Sequence, residues 1–295
     1  MSLSVRKYKF ENDSSIELEV VHLQNLTRNK ASFLILPHRT NFYHIFLFDQ
    51  TSAKHIVDFR PIEVESNSLL CLNKDRIHQF DASLNYNGYV LIFTDTFFCT
   101  TAHDLKFLNQ SILFNDLNDH PYFKPNIDRW HHLRKLFLEI ESILIDSPFH
   151  SKSKILKNLL ENVLLFCEGE KINSGIPKHK KSDDLDYTQK FKNILDKDFR
   201  TERVVQYYAE QLSISEKRLG QATAIILGKT PKVIIDERCI LEAKRLLIYE
   251  NLSIKEIGFS LGFVEPTNFI KYFKRIAKET PAEFRLRYLP HPVHN

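Results

Sequence analysis

SIKEIGFSLGFVEPTNFIKYFKR, residues 253–275, decides the fold of the C-terminal part of the chain. Ser253 and Glu256 stand at the spacing of a capping box, so a helix starts there. Ile254, Ile257 and Leu261 continue it as an apolar stripe with a helical period. Gly258 allows a second helix to come close, and Gly262 suits a left-handed turn position. Glu265-Pro266 opens the next helix, with proline at its first position. In that helix Phe269 and Phe273 face a core, while Thr267, Asn268, Lys271 and Lys274 point away. The stretch reads as helix, tight turn, helix.

The pattern occurs twice. Ala209-Glu210-Gln211-Leu212-Ser213-Ile214 corresponds to Gly258-Phe259-Ser260-Leu261-Gly262-Phe263 at an offset of 49, and Thr230-Pro231 to Thr280-Pro281 at an offset of 50. Such repetition marks a duplicated supersecondary unit. In the first copy Ser215 is the N-cap candidate and Leu219 packs inward, leaving Glu216, Lys217, Gly220 and Gln221 outward. Between the copies, 231–250 carries Val233, Ile234, Ile240, Leu241, Leu246 and Leu247 on one helix of about 17 residues, roughly 25 Å long. Two recognition helices held about 34 Å apart on one face would meet successive major grooves of DNA.

LEAKRLL (241–247), SIKEIGFSLGFVEPTNFIKYFKR (253–275) and ETPAEFR (279–285) resemble the signature of the AraC/XylS transcription regulators. The resemblance implies base reading by Asn, Thr, Gln and Lys side chains and phosphate contacts by Lys and Arg. Carried over residue by residue, it assigns DNA contact to Glu216, Lys217, Gln221, Thr267, Asn268, Lys271 and Lys274. It further implies a homodimer, an RNA polymerase partner, activation of transcription and a small organic effector. The chain departs from the family pattern at four places. Gly258 stands where alanine is usual, and Thr223 where a bulky apolar residue is usual. Lys278 replaces a glycine, so that helix end needs another cap. Gly220 lies inside the first recognition helix at a cost of ~1 kcal/mol relative to alanine. The first copy is therefore looser and offers few base-reading side chains.

The first hundred residues read as strands: 16–20, 32–49 with a break at Pro37, 54–61, 62–72, 75–81 and 88–98. Short strands at about ten-residue spacing, with Asn, Asp and Ser between them, fit an antiparallel sandwich or barrel. LLCLNKDRIHQF (69–80) resembles a strand pair of the cupin-like barrel that usually precedes the family's DNA-binding domain. The expected fold is α+β multidomain: a cupin-like antiparallel β-barrel with a helical hairpin, then an all-α domain of two helix-turn-helix units joined by a long helix. The expected domains are a sensor barrel over 1–105, a helical dimerisation region over 106–168, a flexible linker over 169–186 and the tandem helix-turn-helix over 187–290. In the middle region Trp130, Leu133, Phe137, Ile140 and Leu144 form one apolar stripe. Ile155/Leu156, Leu159/Leu160 and Val163/Leu164 form another, and the two helices either pack on the barrel or make a dimer seam.

Many cupins hold a metal through an H-x-H pair, a Glu and a later His. No H-x-H is present, so no metal and no cofactor is expected. Adjacent His131 and His132 diverge on a helix. His38, Arg39, Tyr43, His44, Arg60 and His78 are the candidates for contact with an organic effector inside the barrel.

The 295 residues carry 43 % hydrophobic and 26 % charged side chains, a soluble globular composition. No apolar run approaches a membrane span, and residues 1–10 lack the apolar region of a secretory signal. Cys71, Cys99, Cys167 and Cys239 form no C-x-x-C pair, which fits a reducing, cytoplasmic setting. From Lys178 onward 22 Lys and Arg stand against 16 Asp and Glu, whereas the preceding residues carry a slight acidic excess. A basic C-terminal part fits a polyanion partner. No spacing supports a catalytic metal, a nucleophile–base pair or a phosphate-binding glycine loop, so no enzyme is expected. A cupin enzyme with a helical appendage and a protein-interaction module are the competing readings.

Overall fold

A computed structural model describes residues 6–10, 16–114, 122–147, 149–174 and 183–288. The chain divides into two units between Lys178 and His179. The N-terminal unit carries the strands β1 (Arg6–Tyr8), β2 (Leu18–His22), β3 (His38–Thr40), β4 (Tyr43–Phe48), β5 (Ala53–Val57), β6 (Arg60–Val64), β7 (Ser68–Leu72), β8 (His78–Gln79), β9 (Gly88–Phe93) and β10 (Tyr122–Phe123). Its helices are α1 (Leu23–Leu34), α2 (Asp95–Phe98), α3 (Ala102–Gln110), α4 (Ile127–Ile145) and α5 (Lys152–Asn173).

Strand β4 is buried along its whole length because both of its faces are covered. Tyr43, Ile45 and Leu47 face one apolar core with Leu69, Cys71, Leu91 and Phe93 of the same sheet. Trp130, Leu133, Phe137, Ile140, Leu156, Leu160, Val163 and Leu164, from α4 and α5, close that core. The helical hairpin thus packs on the sheet with the stripes expected from its periodicity, except that Ile155 is exposed. Phe46 and Phe48 point the other way, into a second core with Val57, Val64, Leu70, Phe80 and Tyr86.

The expected closed antiparallel barrel is, among the described residues, two five-stranded sheets, ordered β1-β3-β8-β5-β6 and β10-β7-β4-β9-β2. The edges explain why no closing ladder forms. Pro61 on β6 has no N–H to donate outward, and β10 has only two residues. One pair, β1 with β3, is parallel. The strand expected over 32–49 is also corrected: residues 32–34 end helix α1, and β3 and β4 follow Pro37. Leu23, Thr27 and Leu34 bury one face of α1, a helical period that outweighs the strand reading. Residues 58–59 form a turn that splits the strand expected over 54–61, and α2 replaces the end of the one expected over 88–98.

Residues 169–173, expected in the linker, end α5, and residues 183–186 open the next helix. The rest of that stretch, 175–182, lies outside the described residues.

The C-terminal unit comprises α6 (Asp183–Asp198), α7 (Val205–Gln211), α8 (Glu216–Leu227), α9 (Pro231–Tyr249), α10 (Ile254–Ser260), α11 (Pro266–Ala277) and α12 (Pro281–Tyr288). Helix α9 is an axle of 19 residues, about 28 Å long. Ile234, Ile235, Cys239, Ile240, Ala243, Leu247 and Ile248 are buried around it. Buried Glu242 joins Arg200 at 2.8 Å, Arg238 at 3.4 Å and Arg245 at 3.6 Å. Burial works to raise its carboxyl, and the three arginines outweigh it, leaving the group below its usual range.

Candidate nucleic-acid interface

Local chemistry builds the second unit as its residues dictate. Ser253 and Glu256 form a reciprocal capping box on α10. A methyl on Gly258 would sit 3.2 Å from the Phe269 Cβ, so the missing side chain sets how closely α10 and α11 meet. Gly262 takes φ +76°, and its position is crowded by the Arg200 carbonyl. Arg203 donates to the carbonyls of Leu261 at 2.7 Å and Gly262 at 2.8 Å and stacks on Phe263. Thr280 and Glu283 cap α12, and Arg285 donates to the carbonyls of Leu247 and Leu252 beyond the end of the α9 core. The threonine, phenylalanine and arginine of ETPAEFR are thus a cap, a core anchor and a tie to α9.

The turns of the two copies superimpose in hydrogen bonding. Ser213 N–H donates to Glu210 and Ile214 N–H to Ala209, as Gly262 N–H does to Phe259 and Phe263 N–H to Gly258. Ser213 and Gly262 both have positive φ.

Recognition helix α11 buries Phe269 and Phe273 and exposes Thr267, Asn268, Lys271 and Lys274. Helix α8 buries Leu219, Ala222, Thr223 and Ile226 and exposes Glu216, Lys217 and Gln221. All seven side chains expected on the outer faces are there. Among the described residues, Lys217, Lys271 and Lys274 form no ion pair. Thr223, small where a bulky group was expected, is fully buried and turns its hydroxyl back to the Gly220 carbonyl at 3.3 Å.

At the fifty-residue offset the two outer faces differ in charge. Gln221, Ala224 and Ile225 of α8 stand where α11 has Lys271, Lys274 and Arg275. Arg218, which stands where α11 has Asn268, pairs with Asp184 of α6 and lies over Tyr187. Arg275 was absent from the expected set. It is exposed on the outer face and lies 3.3 Å from Asp236, which also binds Lys232 and the Tyr272 hydroxyl. Its place one residue after Lys274 was the available signal.

The effector candidates separate. His38, His44 and His78 are buried and come together with His55, which stands in no H-x-H pattern. Tyr43 points into the other core, against Phe93 and Phe114. Arg39 follows His38 on β3, so strand alternation turns it away from the rings. Arg60 is exposed on the edge strand β6. His131 and His132 are exposed on α4.

Residues 208–287 match the family model of a helix-turn-helix domain, which spans both copies found in the structure. A curated relative, the transcriptional activator RhaR of Enterobacter sp., is 22 % identical over 85 % of this chain and 86 % of its own length. These matches bear out the resemblance to the AraC/XylS regulators: the helical C-terminal unit carries a helix-turn-helix DNA-binding domain of that type, and the N-terminal unit is β-rich. The chain is also 27 % identical to Histidine kinase P4 of Formosa agariphila over 49 % of its length, and it spans only 11 % of that protein. Among solved structures, ToxT from Vibrio cholerae is similar over 85 % of this chain and 91 % of its own, with 18 % identity and a TM-score of 0.43. Among the described residues, no helix is long and apolar enough to cross a membrane.

Proposed function

We propose that the chain is a cytoplasmic homodimeric activator that reads DNA mainly through α11 and responds to a small organic effector in its N-terminal unit. The observation that carries the DNA reading is the uneven charge of the two outer faces. In this reading Asn268 and Thr267 reach base edges near the start of α11, while Lys271 and Lys274 contact phosphates. On α8, Lys217, Gln221 and Glu216 supply the weaker half of the interface. The cupin-like sensor occupies 1–105, the dimerisation region 106–168 and the DNA reader 187–290. Exposed Ile155 and Leu165 on α5 favour pairing through that helix, because the inner stripe is used on the sheet. Contact with RNA polymerase belongs to the same reading. The effector face is built by His38, His44 and His78, with Arg39, Tyr43 and Arg60 outside it.

Selection on randomised DNA with the wild type and Asn268→Ala tests the reading. Loss of discrimination at one base pair, worth ~1–3 kcal/mol, is expected. Equal weakening on all sequences would make Asn268 a phosphate contact, and an unchanged selection would remove it from the interface. Light scattering of residues 1–170 tests the dimer, and a monomer at tens of micromolar would count against it.

A further inference from the structure

Three adjacent strands of one sheet, β3, β8 and β5, carry His38, His78 and His55 on the same face. His38 pairs directly with His78, and His78 is registered with Val57, two residues from His55. His44 of β4 meets them from the other sheet. Ring centroids lie 4.3 Å (His38), 5.0 Å (His44) and 5.3 Å (His55) from that of His78. All four side chains are more than nine-tenths buried.

We propose that this histidine cluster makes the N-terminal unit proton-responsive: falling pH loads protons onto a knot that joins both sheets, and the sheets loosen. Polar partners are few. His55 Nε2 and His78 Nδ1 are 3.1 Å apart, His55 Nδ1 lies 3.4 Å from the Tyr86 hydroxyl, and His38 Nδ1 is 2.9 Å from the Leu36 carbonyl. His44 Nδ1 and His78 Nε2 are buried with no hydrogen-bond partner. The His55–His78 contact has room for one proton. Were both rings charged, two N–H groups would face each other and the contact would break.

Among the described residues, no carboxylate is among the groups that shift the four rings. The titratable groups facing the rings are Tyr8 from β1 and Tyr86. Arg39 on β3 and Lys54 on β5 alternate to the opposite face, and at the adjoining turns Asp58 and Arg76 pair at 2.6 Å. Burial lowers all four imidazoles, and where charge adds to this it comes from the other rings. His44 and His55 fall to about 3, and His38 and His78 also move down.

The sign follows from linkage. The loosened unit binds protons at the ordinary histidine value near 6.5, and the closed unit does so only below it. Stability from the cluster is complete above that value and is lost as pH falls beneath it. Each ring favours the open form up to tenfold per pH unit, two rings a hundredfold. Among the described residues, no group of three or more His, Cys, Asp or Glu is placed to hold a metal ion. A proton needs neither such a site nor a cavity.

Trp130, the single tryptophan, gives the test in the full-length chain. Its indole N–H donates to the Phe48 carbonyl at 3.1 Å, at the end of the strand that carries His44. Its fluorescence should show a reversible transition between pH 6 and 4.5, with the open-to-closed ratio changing at least a hundredfold per pH unit. His44→Phe and His55→Gln should each flatten it by about tenfold per unit. Should a variant fail to fold, imidazole nitrogen NMR of the wild type decides instead: the four rings must stay neutral above the transition and protonate with it. Rings titrating singly near 6.5, a transition only below pH 4.5, or equal steepness in folded variants would overturn the proposal. So would stoichiometric metal lost in a His78→Gln variant. DNA affinity at constant salt should change in the same window. No binding at pH 7.5 would reject the DNA reading instead, and binding unchanged across the window would reject the regulatory role of the protons.

Discussion

Gly228 and Lys278 occupy the same place in the two copies, fifty residues apart, and both are left-handed, with φ of 64° and 66°. Each ends a recognition helix by donating its N–H to a carbonyl four residues back. Glycine takes this conformation without penalty, whereas a side-chain residue is disfavoured by ~1–2 kcal/mol. Lys278 recovers part of this through its Nζ, 3.0 Å from the Arg275 carbonyl. Lys278→Gly should therefore stabilise the C-terminal unit by about 1 kcal/mol, read from the denaturant midpoint. A lower midpoint would show that the lysine contact outweighs the backbone strain.

Gly220 has open space where a side chain would go, and its φ is not positive. Gly220→Ala should add about 0.8–1 kcal/mol to stability from helix propensity alone. If DNA approaches this surface closely, affinity will fall while the melting temperature rises. Parallel changes in both quantities would argue that α8 is not in close contact there.

Gly262→Ala should have the opposite effect. The added Cβ would lie 2.2 Å from the Arg200 carbonyl oxygen, on a residue with positive φ. Backbone must move, so a loss of about 3 kcal/mol or more is expected. A loss under 1 kcal/mol in chemical denaturation would mean that the connection before α7 yields easily.

Lys271→Ala and Lys274→Ala should weaken binding to all DNA sequences and reduce the salt slope by about one unit each. Both side chains are exposed, so folding should not change. Unchanged slopes in both variants would leave the two lysines as solvated surface.

The helical unit was legible because its signals are local. Ser253 and Glu256 are three residues apart, Pro266 opens its helix, and Phe269 and Phe273 are one turn apart. The β-rich unit depends on partners far away in sequence. His55 meets His78 across 23 residues and His44 meets both from the other sheet, so no spacing rule reveals the cluster. Barrel and sandwich share strand alternation, and only the pairing of edge strands separates them. Helix α1 was missed because Phe33, Leu34, Ile35 and Leu36 read as a continuous β-type run, although Leu34 ends the helix. For the outer faces of α8 and α11, helical period alone placed the side chains correctly.

Helix α9 is buried over most of its surface, and Arg203 ties the start of the first copy to the turn of the second. The two copies therefore have little freedom to adjust to one another, and if both engage DNA as proposed the operator must supply the matching phase. One base pair inserted between the two half-sites shifts the far one by about 3.4 Å and turns it by about 34–36°. Five would carry it to the opposite side of the duplex, out of reach of a rigid pair, and ten would restore the phase but at a separation the axle cannot span.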